Sequence, residues 1–384
     1  MIYDWLVVGA GLTGATLAER LATQAGRRVL VIDRRRHVGG NAFDAPDDQG
    51  TLVHRYGAHI FHTSSARVVR YLSGFTTWRP YEHRVLAEVD GQLVPVPFNL
   101  TALERLAPPG QAVRMTDALV AAYGADARVP VLNLLDHADP LVRAAGELAY
   151  EKVFLHYTAK QWNRRPEELE RAVTGRVPVV VGRDDRYFTD TFQAIPTDGY
   201  TAMVTRMLGQ PGITVATDTP YEQLCGSAVR WRRVIFTGPI DSFFDHCFGA
   251  LPYRSLRFEH ERVEGGRVQP VAVVNHPNDH DYTRVLEHAH FGPDRPLAAT
   301  TLTREYPLPH VPGVTEPYYP VPCEESRVAY ERYRAAAAGL TEPVVFAGRL
   351  ARYRYFDMDQ AVNQALVAFR GLRDRDGAVA AGRR

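Results

Sequence analysis

Three glycines near the start of the chain have the spacing of a turn that binds a dinucleotide. Gly9, Gly11 and Gly14 follow the apolar residues 5–8 and precede a helical pattern. Glycines at this spacing let the backbone approach a pyrophosphate, and the helix N-terminus adds free N–H groups and the positive end of its dipole. Asp33 ends the next strand pattern, roughly 20 residues on, where an acidic side chain binds a ribose hydroxyl. The spacing predicts a nucleotide-binding strand–turn–helix unit.

A second pair of glycines favours FAD over a nicotinamide nucleotide. Gly39 and Gly40, followed by Asn41, stand shortly after Asp33. In FAD proteins the chain after the second strand passes close to the cofactor, and residues without Cβ permit that approach. The run resembles the paired-glycine segment of amine oxidases and related flavoproteins, although by itself it is also typical of a surface turn. Together with the first turn, it predicts bound FAD.

A strand, a glycine and a helix occur again near the C-terminus. An apolar strand pattern at 343–346 leads to Gly348 and Arg349, and a helical pattern covers 358–369. A helix N-terminus directed at a flavin would stabilise the negative charge that collects there on reduction. We therefore expect an FAD-binding domain that is discontinuous in the sequence.

Tyrosines and arginines recur along the chain in a combination suited to a diphosphate. Tyr157 and Trp162 lie five residues apart near a predicted helix end, and Arg176 stands at a predicted loop tip. Arginine binds phosphate oxygens in a bidentate manner, and aromatic rings with a polar group suit a sugar or a base. Burial of the aromatic residues in the core and solvation of the arginine are the ordinary alternatives for each residue alone.

Two histidines lie in one short segment that the pattern predicts to be extended. If residues 56–63 are extended, His59 and His62 point to opposite faces, so that one of them meets a flavin or a substrate. Packing of the pair in the core is equally compatible with the pattern. Histidines and aspartates also cluster at 276–290, but their spacing matches no zinc signature, and we expect no metal site.

The composition argues against several classes of function. The 384 residues include 45 Lys and Arg against 44 Asp and Glu, a net charge of +1 that gives no reason to expect a nucleic-acid partner. The three cysteines form no C-x-x-C pattern, which predicts neither a disulfide framework nor a thiolate metal site. No apolar run approaches the roughly 20 residues of a membrane helix, and the N-terminus does not resemble a signal peptide. We expect a cytoplasmic protein without membrane insertion.

These patterns predict an α/β fold with three parts. They are a Rossmann-like, discontinuous FAD-binding domain, a helical insert and an antiparallel β-sheet domain that binds the substrate. The FAD-binding domain is expected to comprise residues 1–80, 205–250 and 340–372. The helical insert is expected at 101–172. The antiparallel sheet domain is expected to comprise 81–100, 173–204 and 251–339. Two local elements are also expected: strand character over 82–96 with a turn at Asp90 and Gly91, and a strand over 187–192.

The ordered set of motifs resembles the bacterial-type UDP-galactopyranose mutase family. The resemblance extends from about residue 3 to residue 369. Single motifs of this kind are common, but the ordered set is specific. It rests on residues 38–41, 57–63, 157–162, 187–188, 282–284, 317–320 and 348–359.

The resemblance implies an isomerase that interconverts UDP-galactopyranose and UDP-galactofuranose without net redox change, in the supply of sugar nucleotides for cell-wall polysaccharide. It implies that FAD must be reduced and that its N5 acts as a covalent nucleophile on the anomeric carbon. Such a role for the cofactor accounts for the absence of an evident protein nucleophile in the sequence. We also expect a homo-oligomer, a dimer or larger.

The resemblance also implies roles for individual residues. Catalytic roles go to Arg176, Arg284 and His62, with both arginines on the diphosphate. The residues implied to bind the substrate are Phe154, Tyr157, Trp162, Arg176, Tyr187, Phe188, Asn275, Arg284, Tyr319 and Tyr355. The residues implied to bind the cofactor are Gly9, Gly11, Gly14, Asp33, Gly39, Gly40, Asn41, His59, His62, Arg349, Asp357 and Met358. His83 stands where the family commonly has Asn, which leaves its role open.

Two alternatives share part of this pattern. An FAD oxidoreductase of the amine-oxidase type would have the same glycine turns and the same late strand and helix. It gives no reason for two arginines and a series of tyrosines suited to a diphosphate. A nucleotide-binding module without catalysis is the second alternative, and tight UDP binding without turnover would favour it.

Overall fold

The computed structural model describes residues 2–170, 175, 177–224, 226–342 and 344–381, with side chains in the last helix described to residue 374. The strands are, in chain order, β1 (Ile2–Val8), β2 (Val29–Ile32), β3 (Asp44–Pro46), β4 (Leu52–His54), β5 (Phe61–Thr63), β6 (Trp78–Pro80), β7 (Val85–Val89), β8 (Gln92–Val96), β9 (Arg128–Val129), β10 (Val179–Val180), β11 (Phe192–Pro196), β12 (Ile213–Ala216), β13 (Arg230–Phe236), β14 (Tyr253–Glu264), β15 (Val273–Asn275), β16 (Arg284–Glu287), β17 (Ala299–Pro309), β18 (Tyr319–Pro320) and β19 (Val344–Phe346).

The α-helices are, in the same order, α1 (Leu12–Ala25), α2 (Ala66–Leu72), α3 (Leu100–Leu106), α4 (Gln111–Tyr123), α5 (Val131–Leu135), α6 (Pro140–Ala149), α7 (His156–Trp162), α8 (Tyr200–Leu208), α9 (Tyr221–Leu224), α10 (Ile240–Phe243), α11 (Glu324–Ala338), α12 (Gly348–Ala351) and α13 (Met358–Ala381). Short 3₁₀ helices cover Gly40–Ala42, Pro166–Glu168 and His288–Phe291, and a π-helix covers Tyr150–Leu155. Among the described helices, none combines the length and the apolar character needed to cross a bilayer.

A five-stranded parallel sheet has the strand order of a Rossmann fold. Its order is β12-β2-β1-β13-β19, and every neighbouring pair is parallel. Numbered within the sheet, this is 3-2-1-4-5, with the order reversing between β1 and β13. Trp5 and Val7 belong to one core cluster and Leu6 to another, because successive side chains of a strand point to opposite faces. The sheet is therefore buried on both sides, and its strands come from distant segments of the chain.

A seven-stranded sheet forms the second layer of the molecule. Its order is β18-β14-β17-β16-β15-β7-β8, and all neighbours are antiparallel except the parallel pair of β15 and β7. The predicted turn between β7 and β8 is confirmed: Asp90 has φ 50° and Gly91 has φ 74°. Two positive φ angles in a two-residue loop match the right-handed twist of the flanking strands, which is why Asp-Gly favours this turn.

One local prediction is wrong. Residues 187–191 are irregular, and β11 begins only at Phe192. The aromatic and acidic side chains of this segment contact β5 instead of alternating between two faces: Phe188 stacks on His62, and Asp190 accepts a hydrogen bond from the same histidine. Tertiary contacts therefore override the strand propensity of Tyr and Phe here.

A π-helix interrupts the helical region that flanks the second sheet. Tyr150–Leu155 lies between α6 and α7, so that the chain from Pro140 to Trp162 runs as one helix with a wider turn in the middle. Wider turns of this kind are frequent at functional sites, since they shift the side chains that follow. Phe154 lies in this turn, and Tyr157 follows in the first turn of α7.

Candidate active site

The first glycine turn has no room for side chains. Gly9 has φ +106°, and a Cβ there would lie 2.0 Å from the hydroxyl oxygen of Thr237. A Cβ on Gly14 would lie 1.9 Å from the carbonyl oxygen of Gly9. Gly11 precedes the first residue of α1 without a side-chain cap, which leaves the N-terminal N–H groups of the helix directed at the space in front of it. This turn fits a pyrophosphate at the carboxyl edge of the parallel sheet.

The paired glycines lie directly against the first turn. The N–H of Gly39 donates to the carbonyl oxygen of Ala10 at 2.9 Å. A Cβ on Gly40 would come within 3.0 Å of the Cα of Gly11, so the two backbones touch. Two separate glycine segments therefore form one backbone-lined cradle, as the sequence pattern predicts for a dinucleotide.

Asp33 and Asn41 flank this cradle. The Asp33 carboxylate is 8% exposed and accepts hydrogen bonds from the N–H groups of Ala10 at 2.8 Å and Arg35 at 2.9 Å. Asn41 accepts a hydrogen bond from the Arg35 guanidinium at 3.0 Å. Each carboxylate oxygen of Asp33 retains a lone pair that a ribose hydroxyl could use.

The late glycine segment reaches the same region from the other side. Gly348 has φ +86°, and a Cβ there would lie 3.1 Å from the hydroxyl oxygen of Thr13 in α1. Near the start of α13, Asp359 accepts a hydrogen bond from the hydroxyl of Thr63 at 2.7 Å. The segment that contains Arg349, Asp357 and Met358 is thereby held beside β5, which carries His62.

A cavity of about 1080 Å³ begins at this segment and extends between α7 and the seven-stranded sheet. It collects side chains from distant parts of the chain that the sequence motifs single out. They are His59, His62, His83, Phe154, Tyr157, Trp162, Tyr187, Phe188, Asn275, Arg284, Tyr319, Arg349, Tyr355, Asp357 and Met358. Phe154 and Trp162 are 7% and 9% exposed, so they belong both to the core and to the cavity wall. A second cavity of about 410 Å³ adjoins it at His62 and Phe188.

A row of polar side chains begins at the wall of the large cavity, where Asn275 and Arg284 line it, and continues to the buried Glu305. Asn275 on β15, Arg284 on β16 and Glu305 on β17 are directly opposite one another in the strand register. The Arg284 guanidinium donates to Glu305 at 2.8 Å, and the carboxylate side chain is only 1% exposed. Arg284 Nε, Asn275 Oδ1 and Glu305 Oε2 are buried polar atoms for which no hydrogen-bond partner is present. Because buried polar atoms in folded proteins are normally hydrogen-bonded, these atoms mark this part of the wall as a place that can bind a polar ligand.

The electrostatics of this row favour an anion. Burial alone would lower the pKa of the Arg284 guanidinium, but the charge of Glu305 and its hydrogen bond, with Tyr157 nearby, raise that pKa well above its ordinary value. Arg284 therefore stays charged in a site that is mostly shielded from water. A guanidinium with free N–H groups in such a site can bind phosphate oxygens through charge-assisted hydrogen bonds.

Aromatic rings form the wall between this row and the late glycine segment. Tyr319 stacks on Tyr355 with ring centroids 5.6 Å apart and an interplanar angle of 20°. The Arg349 guanidinium lies 4.8 Å from the centroid of the Tyr319 ring, and the centroids of the Trp162 and Tyr319 rings are 6.4 Å apart. Flat faces with hydroxyl groups at their edges suit a sugar that carries a phosphate.

His62 is held in one orientation by two neighbours. Its Nδ1 lies 2.7 Å from a carboxylate oxygen of Asp190, and its ring stacks on Phe188 with centroids 3.6 Å apart. The hydroxyl of Ser64 donates to the other carboxylate oxygen at 2.9 Å. A carboxylate at Nδ1 favours the tautomer with a proton there, which leaves Nε2 as the atom available to a ligand.

Three other histidines of this region are neutral. Burial lowers the pKa of His59 to about 3, with His54 and two arginines adding to the effect. Burial also lowers the pKa of His54 to about 3. His83 has a pKa of about 3 because of burial and the nearby charges of Arg284 and His62. His83 thus lines the cavity as a neutral donor and acceptor of hydrogen bonds.

Arg176 lies outside the described residues. Gly175 is described and lines both cavities. The predicted role of Arg176 therefore stays a prediction from the family resemblance.

The sequence motifs did not single out Glu305 or Asp190. Glu305 meets Arg284 only through the register of two strands, and no local pattern indicates that pairing. Asp190 stands two residues after the aromatic pair of Tyr187 and Phe188, which is the one signal that could have indicated it.

The histidines between 276 and 290 have separate partners. His276 pairs with Glu88 at 3.2 Å, His280 stacks on Tyr282, and His288 bonds Thr303 at 2.7 Å. Within the described part of the chain, no group of three or more His, Cys, Asp or Glu side chains has the arrangement of a metal site.

Two family models match the chain. The model described as UDP-galactopyranose mutase matches residues 152–355, and the model described as an NAD(P)-binding Rossmann-like domain matches residues 7–75. The first contains most of the cavity wall, and the second contains both glycine turns.

Curated relatives match along almost the whole chain. A Klebsiella pneumoniae protein named "Probable UDP-galactopyranose mutase" is 35% identical over 364 residues, which cover 94% of this chain and 92% of that protein. An Escherichia coli protein named dTDP-fucopyranose mutase is 34% identical over 368 residues, which cover 94% and 96%.

Solved structures share the fold. A reduced UDP-galactopyranose mutase superposes with a TM-score of 0.74 at 16% identity, covering 97% of this chain and 94% of the other. A variant of putrescine oxidase superposes with a TM-score of 0.57 at 15% identity, covering 97% and 99%. At these sequence identities the similarity shows a shared fold and nothing more.

Proposed function

This chain belongs to the UDP-galactopyranose mutase family, and on that premise we propose that it interconverts UDP-galactopyranose and UDP-galactofuranose with FAD as its cofactor. The observation that carries the proposal is the large cavity in which Arg284, the rings of Trp162 and of four tyrosines and the late glycine segment come together. Family membership makes the protein an isomerase. The substrate, the cofactor's identity and its reduced state are the parts that we propose.

The residues around the glycine turns fit FAD. Gly9, Gly11 and Gly14 would hold the pyrophosphate with Gly39 and Gly40 against it, since a side chain at Gly9 or Gly14 would clash with the backbone or with Thr237. When bound and reduced, FAD would supply a nucleophilic nitrogen, N5, for the anomeric carbon of the sugar. Arg349, Asp357 and Met358 would border its flavin end.

Several side chains would hold the diphosphate in this proposal. Arg284 binds the diphosphate through the N–H groups that Glu305 leaves free, and it keeps UDP close while the sugar changes its ring size. Tyr157, Tyr187, Tyr319 and Tyr355 offer hydroxyls to the same phosphates. Arg176 is proposed as a second diphosphate ligand on the strength of the motif alone.

The residues around His62 would transfer protons and orient the substrate. Asp190 fixes the His62 ring, so that Nε2 points away from the carboxylate and can exchange a proton with a sugar hydroxyl. Phe154 and Phe188 are proposed to border the uridine, and Asn275 offers an unpaired carbonyl oxygen to the ligand. Trp162 covers the sugar.

The decisive experiment is an isomerisation assay on the reduced protein. Protein purified with FAD, reduced with dithionite and mixed with UDP-galactofuranose should form UDP-galactopyranose, which chromatography separates. The oxidised protein should be inactive under the same conditions. Absence of interconversion in the reduced protein would contradict the proposal. Oxygen consumption with an amine, without prior reduction, would instead favour the amine-oxidase alternative.

A related sugar nucleotide is the second candidate substrate. The E. coli relative named dTDP-fucopyranose mutase is nearly as similar to this chain as the Klebsiella relative. The same reduced protein should therefore be assayed with dTDP-fucofuranose. The ratio of the two kcat/KM values decides which substrate the cavity prefers.

A further inference from the structure

The ammonium group of Lys160 lies inside a ring of backbone carbonyl groups. Its Nζ donates to the carbonyl oxygens of His276 at 2.5 Å, Asp279 at 3.0 Å, His280 at 3.2 Å and Tyr282 at 3.3 Å. All four carbonyls belong to the loop that joins β15 to β16. Because an ammonium has three N–H groups, at least one of these hydrogen bonds is shared. The side chain therefore occupies the position of a cation held by the loop.

This contact joins two opposite walls of the substrate cavity. Lys160 lies in α7, which carries Tyr157 and Trp162 on the cavity wall. The loop that it binds begins directly after Asn275 and ends directly before Arg284, which lie on the facing wall. The position of the loop relative to α7 thus depends in part on the length and position of the Lys160 side chain.

The other hydrogen bonds of this helical region join uncharged groups of the β15–β16 loop or lead to a different strand. The Asn278 amide donates to the carbonyl oxygen of Lys152 at 3.1 Å and faces the His156 ring at 3.0 Å. The guanidinium of Arg254 donates to the carbonyl oxygen of Gln161 at 2.7 Å, which ties the end of α7 to β14 and not to the loop. Among the described contacts between α7 and this loop, the bonds of Lys160 are the ones that carry a charge.

We propose that Lys160 is a positioning residue that sets the distance between α7 and the β15–β16 loop across the cavity. It acts through Tyr157 and Arg284, whose relative position determines whether both reach one diphosphate. That the ligand is UDP or a UDP-sugar rests on the proposed function. The carbonyl ring itself requires only a cation with N–H donors.

UDP affinity of the oxidised holoprotein tests this role without requiring turnover. Lys160→Ala should weaken UDP binding, measured by titration calorimetry, about tenfold or more, since Tyr157 and Arg284 would no longer be held in advance at the separation that the diphosphate needs. FAD content and the flavin absorption spectrum should be unchanged, because the glycine turns belong neither to α7 nor to the loop that Lys160 contacts. Lys152→Ala is the matched control: Lys152 precedes α7 and pairs with Asp90 near the surface, so its loss should change the Kd less than twofold.

Chemical rescue shows whether the effect of Lys160→Ala comes from the loss of an N–H-donating cation or from the loss of side-chain packing. Propylammonium replaces the atoms that Lys160→Ala removes and should restore UDP affinity at millimolar concentration. Tetramethylammonium has the same charge without N–H donors and should not. Lys160→Arg keeps a donating cation and should bind UDP at least threefold more tightly than Lys160→Ala.

Several results would overturn the proposal. One is a UDP Kd for Lys160→Ala within twofold of wild type, and another is loss of FAD from that variant. The others are equal changes in its UDP affinity on adding propylammonium or tetramethylammonium, and equal Kd values for Lys160→Ala and Lys160→Arg. Failure of the proposed function gives a different result: a wild-type protein that binds UDP but does not isomerise the sugar when reduced.

Discussion

Replacing Glu305 by Gln should separate the stability of the free protein from its affinity for phosphate. The carboxylate is fully buried and is the charged partner of Arg284 at 2.8 Å. Glutamine keeps the shape and one oxygen acceptor but removes the negative charge. The Arg284 guanidinium, whose side chain is 21% exposed, then remains without a counterion in the free protein, whereas a bound diphosphate would supply one.

The magnitude follows from the geometry of the pair. A hydrogen bond between charged groups contributes about 1.5–3 kcal/mol, and loss of the charge of one member of a buried pair leaves the other partly uncompensated. The glutamine amide would also lie near Gly57, since the second carboxylate oxygen is 3.0 Å from the position of a Cβ there. We expect the free energy of unfolding to fall by about 2–4 kcal/mol. UDP affinity should be equal to wild type or higher, because the phosphates then provide the missing negative charge.

Denaturant titrations with and without UDP measure both quantities. UDP should stabilise Glu305→Gln at least as much as it stabilises wild type. Arg284→Ala should lose about 100-fold in UDP affinity, the equivalent of 2–3 kcal/mol for an unpaired charge-assisted contact. Glu261→Gln is the matched control, since Glu261 pairs with Arg304 on the same sheet with half of its side chain exposed, and should cost less than about 1 kcal/mol.

Either of two results would refute the reasoning. If Glu305→Gln weakens UDP binding as strongly as Arg284→Ala, the carboxylate acts on the ligand and is more than a counterion. If its stability equals that of wild type, the buried pair contributes nothing and the electrostatic account of the site is wrong.

Three further perturbations test other parts of the molecule. Between pH 7 and pH 5 the free energy of unfolding should fall by about 2 kcal/mol for each of His54 and His83. Burial holds the pKa of each side chain at about 3, whereas the unfolded chain takes up protons near pH 6.5, so the loss should continue as the pH falls towards 3. Denaturant midpoints measured at several pH values report this loss. Asp190→Asn should lower kcat about tenfold or more with little change in UDP affinity, since His62 loses the carboxylate that orients it, as steady-state kinetics on reduced protein would show. Gly14→Ala should abolish FAD binding, since its Cβ would lie 1.9 Å from a carbonyl oxygen, and the flavin absorbance of the purified protein measures this.

A second variant or a control checks each of these predictions. His54→Phe should remove its own share of the pH dependence, and an unchanged profile would contradict the assignment. Ser64→Ala removes the other donor to Asp190 and should leave kcat near wild type. Gly371→Ala, on the exposed side of α13 with open space around it, should retain FAD and raise the free energy of unfolding by about 0.5–1 kcal/mol.

Much of the fold could be predicted because its signals are local. The glycine turns depend on residues within a few positions of one another, and their steric requirements are visible in the sequence itself. The turn at Asp90 and Gly91 is confirmed for the same reason, since two residues with positive φ decide it. The strand predicted over 187–192 is wrong because its aromatic residues pack against β5, a contact that the local pattern does not contain. The division into domains stays a prediction.

The sequence by itself determined the nucleotide-binding unit, the family and many of the aromatic and charged residues that line the cavity, because spacing along the chain carries that information. Only the tertiary structure decided which of these side chains are held by others. Glu305 meets Arg284 through strand register across 21 residues, Asp190 meets His62 across 128, and Lys160 meets the β15–β16 loop across more than 100. Such contacts depend on the register of strands and the docking of a helix, which follow from packing of the whole core and from no local pattern.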